Sequence, residues 1–239
     1  MKIGVNKMVK LNKYKDLGKA NHGWLNTSFH FSFADYYNPE RMNFGSIRVL
    51  NDDYIKGHSG FDPHPHRDME IITYIVDGEL THKDSMGNES TLSSGGVQYM
   101  SAGTKVVHSE YNNAKEELHL YQIWILPNQK GLTPNYGDMM FDKSERDNKF
   151  LHIVSNQNKD GKIFINQEAD IFVGEFDKNQ EIEINLDGHD YIYLVLIDGE
   201  LETKTLKVQK QDSLESSENL KLVVKENSHL LVLKVNDYK

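Results

Sequence analysis

"FDPHPHRDMEIITYIVDGEL", residues 61–80, carries a histidine pair, an apolar strand and a glycine turn in one short run. His64 and His66 are two apart, so on an extended backbone both side chains leave the same face. Pro63 and Pro65 fix φ near the extended value and withhold N–H donors, which presents the two imidazoles at low ordering cost. Residues 69–76 (MEIITYIV) are rich in β-branched and aromatic side chains and read as a strand. Asp77-Gly78 closes it with a type I′ hairpin signal, because glycine tolerates positive φ. The end of the stretch then recurs. IVDGEL at 75–80 returns as LIDGEL at 196–201, 121 residues later, about half of the 239-residue chain. An internal duplication of a β unit accounts for this spacing. The second copy has no His-X-His before it.

Working outward, the chain reads as short strands bounded by Gly and Asn/Asp turns. They fall at 46–51, 69–76, 97–101, 118–126, 150–154, 162–166, 171–176, 181–186, 191–198, 204–208, 220–225 and 230–235. No long amphipathic helical pattern competes, and closely spaced strands of this kind indicate a sandwich or barrel. DSMGNES (84–90) and SSGG (93–96) read as further turns, and Asp198-Gly199 repeats the hairpin signal. The polar stretch 127–148 holds two prolines and a charge run and marks a boundary. The expectation is an N-terminal domain over 1–135 and a C-terminal domain over 136–239.

Composition narrows the function classes. Hydrophobic residues at 38% and charged residues at 26% are ordinary for a globular chain rather than a disordered one. No apolar run approaches the roughly 20 residues that cross a bilayer. The start, MKIGVNKMVKLNKYKDLG, lacks the continuous apolar core of a signal peptide. A formal charge of −9 argues against a nucleic-acid groove. Cysteine is absent, so any metal falls to His, Asp or Glu. A cytoplasmic protein without membrane or nucleic-acid partners is the simplest reading.

A second pair answers the first. In SAGTKVVHSEYN, His108 and Glu110 are again two apart. Two such pairs on separate strands of a closed sheet converge on one point, and three neutral imidazoles with one carboxylate suit a divalent first-row metal. Glu70, four residues beyond His66, shares their face on an unbroken strand, and the favoured role for it is to orient a ligand. His58, His82 and His119 are open candidates for the pocket lining. His22, His30, His152 and His189 read as packing or surface residues. Met69, Ile71, Tyr74, Tyr99, Met100 and Trp124 either wall a site for a planar ligand or belong to the core. Asp35, Tyr36 and Tyr37 are expected to pack on the barrel.

The spacing His-X-His-X3-Glu-X7-Gly, then Gly-X5-Ala-Gly-X4-His some 30 residues on, resembles the two cupin motifs, and more closely the pirin family of bicupins. HGWL (22–25), FSFADYYNP (31–39), RVLNDD (48–53), HPHRDMEIITYIVDGEL (64–80), HKDSMGNES (82–90), QYMSAG (98–103), HSEYN (108–112) and LHLYQIWI (118–125) resemble that family in order and spacing. The likeness is strong over about 20–140 and fades to a degenerate second cupin beyond. It is similar in particular to bacterial pirin-like proteins with quercetin 2,3-dioxygenase activity. The resemblance implies an all-β fold of two cupin (jelly-roll-like) β-barrels packed as a bicupin. It places the metal ligands on His64, His66, His108 and Glu110, and the metal as Fe(II). The donor set by itself also admits Ni, Cu, Co, Mn or Zn. Moved by 121 residues without gaps, the ligands fall on Asn185, Asp187, His229 and Leu231, so the second copy is expected to hold no metal and to serve as scaffold.

The resemblance further implies a dioxygenase acting on a flavonol-like aromatic substrate and O2. Glu110 is then the catalytic residue, accepting the substrate's hydroxyl proton. The rival reading is a non-catalytic iron or redox sensor that binds a protein partner. A third, another cupin activity on a small oxyanion, calls for Arg or Lys in the pocket, with Arg48, Arg67 and Lys105 as the nearby candidates.

Overall fold

The computed structural model describes residues 8–156 and 163–238. Residues 1–7 of the opening segment and Lys162 of the expected strand 162–166 lie outside the described residues. The rest is nearly all β, with two cupin-type domains, as the strand pattern and the motifs indicate. The first strand is β1 (Val9–Asn12). There follow β2 (Gly18–Asn21), β3 (Leu25–Phe29), β4 (Ile47–Ile55), β5 (Ser59–His66), β6 (Glu70–Asp77), β7 (Glu79–Asp84) and β8 (Glu89–Ser93). Next come β9 (Gly96–Ser101), β10 (Val106–Asn112), β11 (Leu118–Ile125), β12 (Asn135–Met140), β13 (Lys149–Ser155) and β14 (Ile163–Phe164). The chain ends with β15 (Ala169–Phe176), β16 (Glu181–Ile184), β17 (Tyr191–Glu202), β18 (Lys207–Gln209), β19 (Ser213–Ser216) and β20 (Leu220–Val235).

Close contacts gather the described residues into two units, one of 18–142 and 163–167, the other of 8–17, 143–156 and 168–238. These differ from a division at 135/136. β1 pairs with β19, and β12 pairs with β9, so residues 9–12 join the later unit and 135–140 the earlier one. The edge a strand adds to is decided by long-range pairing, which chain order does not reveal.

In the first unit the larger sheet runs β12-β9-β6-β11-β4-β3-β2 and the smaller β5-β10-β7-β8. Leu25, Ile55, Ile75, Leu80, Leu92, Leu118 and Leu120 form one buried cluster in it. In the second unit the order is β1-β19-β17-β20-β15-β13, with β16 on β20 and β18 on β17. Ile184, Leu201, Leu220 and Leu222 belong to its buried core.

The two Asp-Gly pairs are not hairpins. β6 and β7 lie in different sheets, and Gly78 (φ +86°) is the corner between them. Gly199 (φ +98°) lies inside the continuous β17, at register shifts against β20. Both glycines supply positive φ, but the feature is a corner or bulge where one strand changes its partner. The same is true of the segments 220–225 and 230–235. Read as two strands, they form one, with the backbone extended through Glu226, Asn227 and Ser228 as β20. The tip at 84–88 is a hairpin as expected, with β7 on β8 and Gly87 at φ +93°.

Register also corrects the ungapped offset. In the first unit Thr81 faces Tyr111 and His82 faces Glu110; in the second, Leu201 faces Val224 and Glu202 faces Val223. With Leu201 matched to Leu80, the places of His108 and Glu110 fall to Leu220 and Leu222 rather than to His229 and Leu231. Ile184, opposite Leu220 as His64 is opposite His108, takes the place of His64. All three replacements are buried aliphatic side chains. In the second unit those register positions belong to the core.

Candidate metal centre

β5 and β10 are antiparallel neighbours in the smaller sheet, and their register brings the two sequence pairs together. His108 faces His64, and Val106 faces His66. A bulge between His108 and Glu110 shifts the ladder at the centre of the site. β5 is an edge strand, so Pro63 and Pro65 can sit in it without breaking a sheet interior.

Three imidazoles converge. The rings of His64 and His66 are 4.8 Å apart, those of His64 and His108 4.5 Å, and those of His66 and His108 4.8 Å. One ligand nitrogen from each lies within 4.8 Å of the others. His64 Nδ1 is 2.7 Å from the Asp62 carbonyl, which can only accept, so Nδ1 carries the proton and Nε2 keeps its lone pair. That lone pair faces His108 Nε2 at 3.1 Å. Burial, then the neighbouring His108 and His64, lower the pKa of His66 to about 4. Burial, then His64 and His82, lower that of His108 to about 3. Both rings are therefore neutral near pH 7, the form that binds a metal.

Glu110 stands slightly apart. Its carboxylate groups within the same 4.8 Å limit with His108 and His82, not with all three candidate imidazoles. It is buried, and accepts hydrogen bonds from Thr73 Oγ1 (3.2 Å), Gln98 Nε2 and Gln122 Nε2 (2.7 Å). Trp124 Nε1 in turn donates to Gln122 Oε1 at 3.2 Å. Thr73, Gln98 and Gln122 are residues that motif reasoning missed. Each is a polar residue on an otherwise apolar central strand, and that misfit was the available signal.

A cavity of about 520 Å³ opens beside the cluster, within the range of small-molecule sites. Trp24, Phe29, Phe33, Phe61 and Trp124 give it an aromatic lining, and His64, His66, Glu110 and Gln122 a polar one. His22, read from sequence as packing or surface, lines it too, as do Thr27, Asn51 and Asp53. Asp53 is fully buried, and burial first, then Asp52 and Glu110 as like charges, raises its pKa to about 7. Among the described residues no Arg or Lys lines the cavity, which leaves the small-oxyanion reading without the cation it calls for. Arg48 instead binds the Ser32 and Met42 carbonyls, Arg67 pairs with Asp68, and Lys105 is exposed.

Other candidates separate cleanly. Glu70 does not share the histidine face, because β5 ends at His66, Asp68 takes φ +49°, and β6 starts in the other sheet. Its carboxylate accepts from Tyr99 Oη, Ser101 Oγ and both Asn166 N and Nδ2. It ties the chain together rather than orienting a ligand. His119 binds Asp52 at 2.7 Å and stacks on Tyr54, and neither it nor His58 lines the cavity. Ile71, Tyr74, Tyr99 and Met100 are core, while Trp124 walls the cavity. Tyr36 stacks on Phe29, and Tyr37 is exposed.

The donor set fits a divalent metal: three imidazoles, of which burial keeps His66 and His108 neutral, beside a buried carboxylate. Fold and cluster together define the class, a protein of two cupin-type units with a His/Glu metal-binding cluster in the first. The pirin family model matches residues 10–125, and that of the quercetinase C-terminal cupin domain matches 152–235. A Pseudomonas aeruginosa chain, provisionally named a quercetin 2,3-dioxygenase, is 43% identical over 231 residues, 95% of this chain and 100% of that one. The quercetin 2,3-dioxygenase of Escherichia coli K12 is 39% identical over 87% of this chain and 89% of its own. The crystal structure of YhhW from Escherichia coli superposes with a TM-score of 0.91 at 35% identity, over 97% of this chain and 99% of that one. YhhW has also been solved in complex with nickel(II), with a TM-score of 0.90 to this chain. The chain belongs to the pirin family.

Proposed function

We propose that this protein is a metal-dependent dioxygenase that opens the central ring of flavonols such as quercetin, using O2, with His64, His66, His108 and Glu110 holding one divalent metal. The observation that carries the reading is the aromatic-walled cavity lined by His64, His66 and the buried Glu110, with His108 clustered against the two histidines. The metal would supply Lewis-acid polarisation of an oxygen-bearing substrate. The aromatic lining would take a flat polyphenol between Trp24, Phe33, Phe61 and Trp124 and exclude water from it. Glu110, aligned by Gln98 and Gln122, would receive the substrate's hydroxyl proton. Iron(II) is the metal proposed and the cytoplasm the location. The names of the relatives support the substrate class and the nickel complex supports a divalent ion.

The test is anaerobic loading with Fe(II), Ni(II), Co(II), Mn(II), Cu(II) or Zn(II), then oxygen uptake with a flavonol panel. Uptake that matches loss of quercetin absorbance and is absent in His64→Ala is expected. Metal bound at one per chain without uptake for any flavonol would sink the enzyme reading and leave the non-catalytic sensor.

A further inference from the structure

The sequence leaves His82 open as a pocket residue, and in the structure it does not line the cavity. It lies behind His108 instead, with its ring 5.4 Å from that of His108 and stacked on Tyr136 at 4.5 Å. The side chains of His82 and Asp84 are both fully enclosed, with His82 Nε2 3.1 Å from Asp84 Oδ2. Asp84 also accepts from Met86 N (2.8 Å), Asn88 N (3.1 Å) and Asn88 Nδ2 (2.9 Å) at the β7–β8 hairpin. Burial opposes its ionisation, but these donors and His82 outweigh it and hold the pKa of Asp84 below the ordinary value.

A carboxylate only accepts, so His82 Nε2 is the donor, and a neutral His82 then has a bare Nδ1. That Nδ1 is buried and has no hydrogen-bond partner. His108 Nδ1 is likewise buried and without a partner. On the far side of its ring, His108 Nε2 faces the lone pair of His64 at 3.1 Å, so in the metal-free protein it carries the proton. Binding a metal through Nε2 requires that the proton pass to Nδ1, which then needs an acceptor. As placed, the two nitrogens do not bond each other, but their rings are 5.4 Å apart, and in that state one is a donor and the other an acceptor.

We infer that His82 is a positioning residue for the metal centre: it accepts the Nδ1–H of His108 and passes the bond to Asp84, so that metal binding and one tautomer of His108 favour each other. Metal-ligating imidazoles commonly donate their other N–H to a fixed acceptor, and removing it weakens affinity about 10–100-fold. The inference rests on the ligand set proposed above and adds the residue that fixes its least accessible member.

The test uses the full chain loaded with diamagnetic Zn(II). Zinc affinity is measured by competition with a chromophoric chelator, and imidazole tautomers by long-range ¹H–¹⁵N NMR. In the wild type, His108 is expected as the Nδ1–H tautomer when zinc is bound, with His82 as the Nε2–H tautomer both with and without zinc. His82→Phe keeps the ring on Tyr136 but has no acceptor, and should bind zinc about 10–100-fold more weakly with an unchanged circular dichroism spectrum. His82→Asn returns an acceptor oxygen near the Nδ1 position and should recover most of that loss. Equal zinc affinity in wild type and His82→Phe, or an Nδ1–H tautomer for His82, would overturn the inference while leaving the centre intact. Failure of the wild type to bind zinc overturns the centre, and this inference with it. The wild-type tautomers decide the matter even where a variant does not fold.

Discussion

A single backbone carbonyl, that of Asp62, sets the tautomer of His64 and leaves Nε2 free for a metal. Removing that ring should be unambiguous: His64→Ala is expected to lose metal at stoichiometric loading, read by elemental analysis after desalting, while retaining its far-ultraviolet dichroism. Asp53 allows a test of the opposite kind, on electrostatics rather than ligation. Its folded pKa of about 7 lies above the ordinary carboxylate value, so the native state resists its ionisation. The resulting penalty is absent at low pH, grows as pH rises above the unfolded pKa near 4, and levels off above about 7. Its full size is on the order of 4 kcal/mol, since each pH unit between the two values contributes about 1.4 kcal/mol. Asp53→Asn cannot ionise. In urea unfolding of metal-free protein it should be more stable than wild type at pH 8, with the gap narrowing toward pH 4. A gap independent of pH would contradict the buried-acid account. The role of Asp53 was not legible from sequence, although RVLNDD was, because burial depends on what the other strands place over it.

At the scale of elements, the glycine corner and the Glu70 tie decide how strands reach the site. A Cβ on Gly78 would come 2.9 Å from Leu118 Cα at φ +86°, whereas one on Gly87, at φ +93°, meets nothing. Gly78→Ala should therefore cost more than Gly87→Ala, roughly 2–4 kcal/mol against about 1, measured by urea unfolding. Glu70 ties β6 to β9 and to Asn166 through four accepted bonds. Glu70→Gln should cost about 1–3 kcal/mol of stability and leave metal stoichiometry at the wild-type value; loss of metal would restore it to a ligand-orienting role. The long apolar strands β4, β6, β9, β11, β15 and β17 were legible because their alternation and β-branched content are local properties, while short or polar ones such as β2, β8 and β12 were not. The Asp-Gly signals point wrongly to hairpins because positive φ is also local, while the pairing that turns it into a corner is not. The edge strand β5 escaped the strand pattern, its prolines and polar residues being those of a site rather than a core.

At the scale of the whole molecule, the candidate ligands lie in the first unit, and core side chains take the matching register positions of the second. Leu220, Leu222 and Ile184 occupy the register positions of His108, Glu110 and His64 and are fully or nearly fully buried. Leu220→Ala is expected to cost about 2–5 kcal/mol, as cavity-forming core substitutions do, with the metal content still one per chain. A change in metal content would mean that the second unit also binds. The candidate site was legible because four side chains of the right type, at spacings of two, can be read without knowing what they face. Sequence by itself thus determined the β architecture, its doubling, and which residues are candidates for a metal, since residue type and period-two spacing act over a few positions. Only the tertiary structure decided that Glu70 turns away, that Gln98 and Gln122 hold Glu110, that His82 backs His108, and that leucines rather than His229 fill the second site. Those outcomes depend on register between strands far apart in the chain, and a shift of one residue there exchanges the inner face for the outer.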